Sequence, residues 1–194
     1  PTEVREDYAE VLARMEKLLE EPHPYIGIGE VGLDYYWDRT YYKEQQDAFC
    51  RQVEWSLASG LPLMIHSRSA QKELVDLLAA YRSRGVRGVF HSFCGTPEEA
   101  RELLSFEGFM IGVNGVLTFK KSALPEVLPY IPPERLVVET DAPYLAPVPF
   151  RGKRNESAYV FHTLAKAAEV YGMPVEKLAG QTSENALKLF VRAV

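Results

Sequence analysis

Five side chains able to bind a metal or move a proton sit in or at the ends of short apolar stretches. Glu30 closes YIGIGE, His66 closes LPLMIH, His91 lies in GVFHSF, and Glu139 and Asp141 close RLVVETD. Imidazole nitrogens combined with carboxylate oxygens make the mixed donor set of a hydrolytic divalent-cation site. Taken singly, each has an ordinary structural reading. A histidine at a strand end is usually hydrogen-bonded in place, and an acid there commonly caps a helix or joins a loop ion pair. The recurrence argues for a site: four apolar segments each finish in such a group. A buried acid is costly unless it is paired or metal-bound, and a shared cation would offset that cost. Two of the four histidines lie in this set. The others, His23 and His162, fall in a loop and on a helix and read as structural or solvent-facing.

The elements that must carry these groups alternate. Apolar strands are expected at 25–30, 61–66, 88–93, 109–114 and 135–141. A helix is expected over 3–21, and another from Tyr42, with Phe49, Val53 and Leu57 on one face and Gly60 as its stop. A third places Leu74, Leu77, Leu78 and Tyr81 together. TPEEARELLS opens with Thr96, Pro97 and Glu99, a capping box. A short helical segment at 122–130 and closing helices over 156–171 and 183–192 complete the reading.

Strongly apolar strands in βαβα order imply a parallel sheet covered by helices. An open doubly wound sheet and a closed barrel both satisfy that order. No glycine-rich phosphate loop follows a strand, which counts against a nucleotide-binding open sheet. In a barrel the carboxyl ends of the strands form one rim, where groups distant in sequence converge. Strand alternation puts Val137, Glu139 and Asp141 on one face, and puts Arg68 on the face of His66 if that strand runs on.

The chain has 194 residues, is 46% hydrophobic and carries a net charge of −5, so it reads as one globular domain over residues 1–194 without a global basic field. A nucleic-acid partner would have to be drawn by local positive charge or by bound metal. The two cysteines, Cys50 and Cys94, are far apart and fit neither a disulfide framework nor a zinc knuckle, which points to a reducing cytoplasm. No apolar run reaches the ~20 residues of a membrane span, and no membrane partner is expected. A helix so close to Pro1 is an abrupt opening, and a preceding amino-terminal segment is expected.

The stretches IGIGEVGLDYYWD, LPLMIHSR, GVFHSF, IGVNG and LVVETDAPYLAPVPFRGKRNESAYV resemble, in family order and over nearly the whole chain, the TatD-type metal-dependent deoxyribonucleases of the amidohydrolase-like TIM-barrel superfamily. The resemblance implies a (β/α)8 TIM-type barrel whose strands four to eight are the five read here. It implies that Glu30 is the glutamate bridging the metals, that His66 and His91 bind metal, and that Asp141 is the aspartate of strand eight. The family also carries an H-x-H pair after its first strand, and this sequence contains no H-x-H. Glu30, His66 and His91 match one of the family's two metal positions in full. The other keeps Glu30 and Asp141. One or two divalent ions, magnesium, manganese or zinc, are therefore expected. Ser92 and Cys94 are exchanged relative to the family's usual order, and Cys94 reads as a small buried residue. Ser157 stands where proline is common.

The activity implied is hydrolysis of DNA phosphodiester bonds, on single strands or ends. Glu30 and Asp141 are the expected catalytic carboxylates, with Asp141 accepting a proton from the attacking water. Glu139 is expected behind the ligands, orienting one of them, with a plain ion pair as its structural alternative. Phosphate contacts are expected from Arg68, Arg151 and Arg154, with Lys153, Lys120 and Lys121 nearby and Asn155 and Glu156 fixing the loop. The rings of DYYWDRT could stack on an unpaired base, although Tyr35 reads as structural. A metal-dependent amide or ester hydrolase, including one acting on an aminoacyl-tRNA ester, is the competing enzyme. A catalytically incomplete barrel that only binds a partner is the competing non-enzyme.

Overall fold

The structure is a computed structural model, and it describes residues 1–190. Helices and strands follow one another as α1 (Tyr8–Glu20), β1 (Ile28–Asp34), α2 (Tyr42–Ser59), β2 (Leu63–Arg68), α3 (Gln71–Ala79), β3 (Gly88–Phe90), α4 (Pro97–Leu104), β4 (Phe109–Val113), α5 (Leu124–Val127), β5 (Leu136–Val138), α6 (Val160–Tyr171) and α7 (Val175–Phe190). The strands form one five-stranded sheet in sequential order, β1-β2-β3-β4-β5. This α/β alternation with parallel pairing is the expected class. The described residues gather in two compact units, Pro1–Val89 with Phe190, and Phe90–Leu189.

In the first unit β1 and β2 pair in parallel, with Gly32 opposite His66 and Asp34 opposite Arg68. Leu33, Leu63 and Ile65 from these strands are fully buried, as are Phe49 and Val53 of α2 and Leu74 of α3. Burying a side chain of this size contributes roughly 1.5–3 kcal/mol. Gly32 has φ +117°, and a Cβ there would collide with the His66 carbonyl, so only glycine lets the two strands approach beside His66. Helix α2 stops at Gly60, whose N–H donates to the Ser56 carbonyl, and the Ser56 hydroxyl donates to Leu61 O at 2.5 Å. That bond fixes the tight turn into β2.

In the second unit β4 and β5 pair in parallel, with Gly112 opposite Val137. Ile111, Val113, Leu117, Leu128, Ile131 and Leu136 are fully buried. The buried Asn185 amide of α7 donates to both Pro133 O and Leu136 O at 2.7 Å. The Arg135 guanidinium donates to Phe106 O and Phe109 O, and desolvation lowers its pKa. These two side chains add bonds to carbonyls at the entrance to β4 and β5 and so tie α7 and the turn before β5 to the strands. The capping box at Thr96 and Glu99 forms as its sequence predicts.

Several boundaries differ from the sequence reading. The first helix begins at Tyr8, not residue 3, because Val4 N–H donates to Pro1 O and the Arg5 guanidinium donates to Thr2 O and Val4 O, closing turns instead of a helical ladder. The first strand runs through Asp34, so Glu30 sits within it and not at its end. The second strand does extend to Arg68. The last strand ends at Val138, so strand alternation does not govern Asp141. The third ends at Phe90, because Ser92 enters the left-handed region at φ +51°. The helix expected over 156–171 begins as a 3-10 turn at Ser157–Tyr159. Of the closing helix, positions 191 and 192 lie outside the described residues.

Candidate metal centre

In the first unit the centre is built around His66. Its Nδ1 lies 2.8 Å from Glu30 Oε1, and its Nε2 lies 2.9 Å from Asp34 Oδ2. Adjacent strands supply all three side chains. Asp34 is 3% exposed, whereas Glu30 reaches solvent. The Asp34 backbone is itself held: Gln45 Oε1 accepts its N–H at 2.9 Å, and Gln45 Nε2 donates to its carbonyl at 3.2 Å. A neutral imidazole has one N–H to give. With that proton on Nε2 toward buried Asp34, Nδ1 presents a lone pair to a carboxylate oxygen at 2.8 Å. Two acceptors face each other there, and either a second proton or a cation must lie between them. This donor pair fits a divalent cation. It is the arrangement in which an outer carboxylate fixes the ring and the other nitrogen ligates.

In the second unit a parallel arrangement surrounds His91. Its Nδ1 stands 3.6 Å from Glu139 Oε1, beyond hydrogen-bond length but within reach of an ion pair. The same Glu139 oxygen accepts the Ser92 N–H, and the Glu139 N–H donates to Val113 O. A Cβ built on Gly112 would lie 2.6 Å from Glu139 Oε2, so the carboxylate rests directly on that glycine. Buried Asn114 donates from Nδ2 to Ser92 Oγ at 2.7 Å and accepts the Val116 N–H. His91 and Glu139 are thus brought together, with the Glu139 carboxylate bonded to the Ser92 N–H.

Asp141 lies beyond β5, half-buried, with its carbonyl accepting the Tyr144 N–H at 2.6 Å. The basic loop that follows is pinned by buried Asn155, whose amide donates to Tyr144 O at 2.6 Å and whose side-chain oxygen accepts the Glu156 N–H. Arg151, Lys153 and Arg154 are exposed, and the Arg151 guanidinium lies 3.8 Å from the Phe119 ring centre. Arg68 is exposed and lies over Tyr36. Both remaining histidines pack against rings: His23 stacks on Tyr25, and His162 contacts Phe150 and Tyr159. Cys94 is exposed, contrary to the buried position expected, because it follows the left-handed Ser92 out of the strand.

Sequence reasoning missed Asp34, Gln45 and Asn114. Asp34 is two alternations on from Glu30, so a longer strand would have put both acids on the face of His66. Gln45 and Asn114 carry no comparable signal, because their roles depend on backbone groups distant in sequence.

An α/β fold with these histidine–carboxylate pairs has the donor set of a divalent-metal site, and comparison with known proteins gives the family. The family described as TatD related DNase matches residues 1–191, and the chain belongs to it. An uncharacterized metal-dependent hydrolase of Bacillus subtilis, YabD, is 41% identical over 166 residues, covering 85% of this chain. The chain spans 65% of that relative's length. A protein of Pantoea ananatis named 3'-5' ssDNA/RNA exonuclease TatD is 36% identical over 190 residues, 95% of this chain and 71% of that protein. The crystal structure of YJJV, a TatD homolog of Escherichia coli, superposes with a TM-score of 0.86 at 28% identity, covering 94% of this chain and 70% of the other. No helix among the described residues is long and apolar enough to cross a membrane.

Proposed function

We propose that this protein is a deoxyribonuclease that hydrolyses phosphodiester bonds with the help of a divalent cation, and that its five strands correspond to the fourth to eighth of a (β/α)8 barrel, the two units forming one hydrolase domain. One observation carries the reading: within the first unit His66 Nδ1 faces Glu30 Oε1 at 2.8 Å while buried Asp34 holds its Nε2 at 2.9 Å, a ligand pair fit for a divalent cation. Family membership and the name of the Pantoea ananatis relative support a nucleic-acid substrate, with single strands or ends preferred. Cytoplasmic residence rests on the cysteine usage.

A cation bound there supplies an acidified water and neutralises charge on the phosphate oxygens. Glu30 and His66 would hold it, and His91 would serve as the further ligand that the family resemblance implies. Asp34 and Glu139 keep the two imidazoles oriented, so that no ligand must be reorganised during the reaction. Asp141, half-buried beyond β5, would serve as a further ligand and as the group able to take the water's proton. Arg68, Arg151 and Arg154 position the substrate through phosphate contacts.

The test compares single-stranded DNA with an aminoacyl ester in the presence of magnesium, manganese or zinc, and again with a chelator. Metal-dependent cleavage of the DNA is expected. Ester hydrolysis without DNA cleavage overturns the assignment in favour of an esterase, and hydrolysis of neither substrate favours a binding protein.

A further inference from the structure

The bonds that fix His66 continue past it to an aromatic corner that hydrolysis itself does not require. Beyond Asp34 the chain leaves β1 through Tyr35, Tyr36 and Trp37. Tyr35 is buried; its N–H donates to Arg68 O, and its hydroxyl accepts from Gln46 Nε2, each at 2.9 Å. Tyr36 and Trp37 emerge from the surface, 56% and 71% exposed, with ring centres 4.9 Å apart and planes at 88°. The Arg68 guanidinium lies 3.9 Å from the Tyr36 ring centre and 5.1 Å from that of Trp37. The Tyr36 N–H donates to Asp34 Oδ1 at 3.0 Å, and the other oxygen of that carboxylate holds His66 Nε2. One buried carboxylate therefore anchors both the candidate ligand and the aromatic corner.

We infer that Tyr36, Trp37 and Arg68 form a stacking platform for an unpaired nucleobase next to the phosphate being cleaved. The inference rests on the nuclease reading and names the feature of substrate that the site selects. Three properties carry it. Tyr36 is held by its bond to Asp34 and by the guanidinium against its ring, and Trp37 packs edge-on against Tyr36, which lowers the ordering cost of binding. The flat indole is presented to solvent beside a permanent cation, and that pairing matches a base joined to a phosphate. Arg68 lies two residues beyond His66 on β2, about 6.6 Å along the strand, on the order of one nucleotide step. A base inside a duplex has both faces covered by its neighbours, so the platform accepts only single strands or frayed ends.

The experiment measures binding to the intact protein with metal chelated, so that nothing is cleaved. The probes are a short thymidine oligomer and an abasic oligomer with the same number of phosphates. Trp37 is one of two tryptophans, and the other, Trp55, is 8% exposed, so quenching of emission reports on Trp37. The thymidine oligomer is expected to quench emission and to bind about 5- to 150-fold more tightly than the abasic one. Trp37→Ala and Tyr36→Ala, with affinity followed by anisotropy of labelled oligomers, are expected to bring that ratio close to one, whereas Trp37→Phe keeps most of it. Equal binding of the two oligomers by the unaltered protein, or an unchanged ratio in Trp37→Ala, overturns the inference. The ratio is independent of turnover. A protein with base preference but no metal-dependent cleavage keeps the platform and loses the proposed function; cleavage without base preference does the reverse.

Discussion

Buried Asp34 and half-buried His66 pair across β1 and β2, carboxylate oxygen to Nε2 at 2.9 Å, with Gln45 bonded to both backbone groups of Asp34. The pair fixes which imidazole nitrogen is left for a ligand. Asp34→Asn keeps the shape and removes the charge, and its amide can also present N–H groups to the ring, which favours the wrong tautomer. Metal affinity is expected to fall about 10- to 100-fold, measured by competition with a chromophoric chelator, with an unchanged far-ultraviolet circular dichroism spectrum. Undiminished affinity would show that His66 needs no carboxylate behind it.

His91→Ala removes one of the three proposed ligands, and Asp141→Ala removes the proposed proton acceptor. Each is expected to abolish metal-dependent DNA cleavage while the protein remains folded. Each should differ in metal binding: His91→Ala weakens it strongly, and Asp141→Ala less so. Full cleavage by either variant removes that residue from the chemistry.

How much of this could be seen in the sequence depends on the range of the interactions involved. The alternation of elements, the Thr96 capping box and the helix stop at Gly60 are local, and their sequence signals correspond to what forms. Strand ends depend on pairing with neighbours distant in sequence. The stretch at 25–27 is apolar enough to read as strand, yet Tyr25 and Ile26 lie exposed outside the sheet, while Val31 and Leu33 continue it. That shift hid Asp34 as the partner of His66. Glu139 was placed by a strand alternation that ends at Val138; its position comes instead from Ser92 and Gly112, which no pattern near residue 139 reveals.

Gly112 gives a direct test of that placement. An added methyl would stand 2.6 Å from Glu139 Oε2 and 2.9 Å from its Cδ. Gly112→Ala must push the carboxylate away from Ser92 N–H and His91. The expected result is a drop in metal affinity and turnover, with stability reduced by about 1–3 kcal/mol from overpacking. Glu139→Gln, which retains an acceptor for Ser92, should lose less stability than Gly112→Ala. Unaltered turnover in Gly112→Ala would separate Glu139 from the function of His91.

The exposed Arg151 and Arg154 flank a loop that Asn155 ties to Tyr144. If both meet phosphate, replacing them with alanine weakens single-stranded DNA binding for every sequence alike. It should also lower the slope of log affinity against log salt by about 1.4. Titrations at four or five salt concentrations measure this, and identical slopes before and after would place the loop away from the substrate.

Tyr171 offers a test of the second unit's packing by pH. Its hydroxyl donates to Ile131 O at 2.6 Å, and desolvation, with a smaller contribution from Glu134, raises the phenol pKa far above its ordinary 10.0. The folded state therefore keeps a proton that the unfolded chain releases above pH 10. The stabilisation due to the neutral phenol is complete below that value and declines as pH rises further, by up to about 1.4 kcal/mol per pH unit. At pH 8, Tyr171→Phe should be less stable by about 0.5–1.5 kcal/mol, the net worth of the lost bond. Near pH 11 that deficit should shrink or reverse, because the phenylalanine chain has no proton to lose on unfolding. Urea unfolding of both proteins at pH 8, 10 and 11 measures the difference. A deficit that stays constant across that range would mean that the phenol ionises as easily in the folded protein as in the unfolded chain.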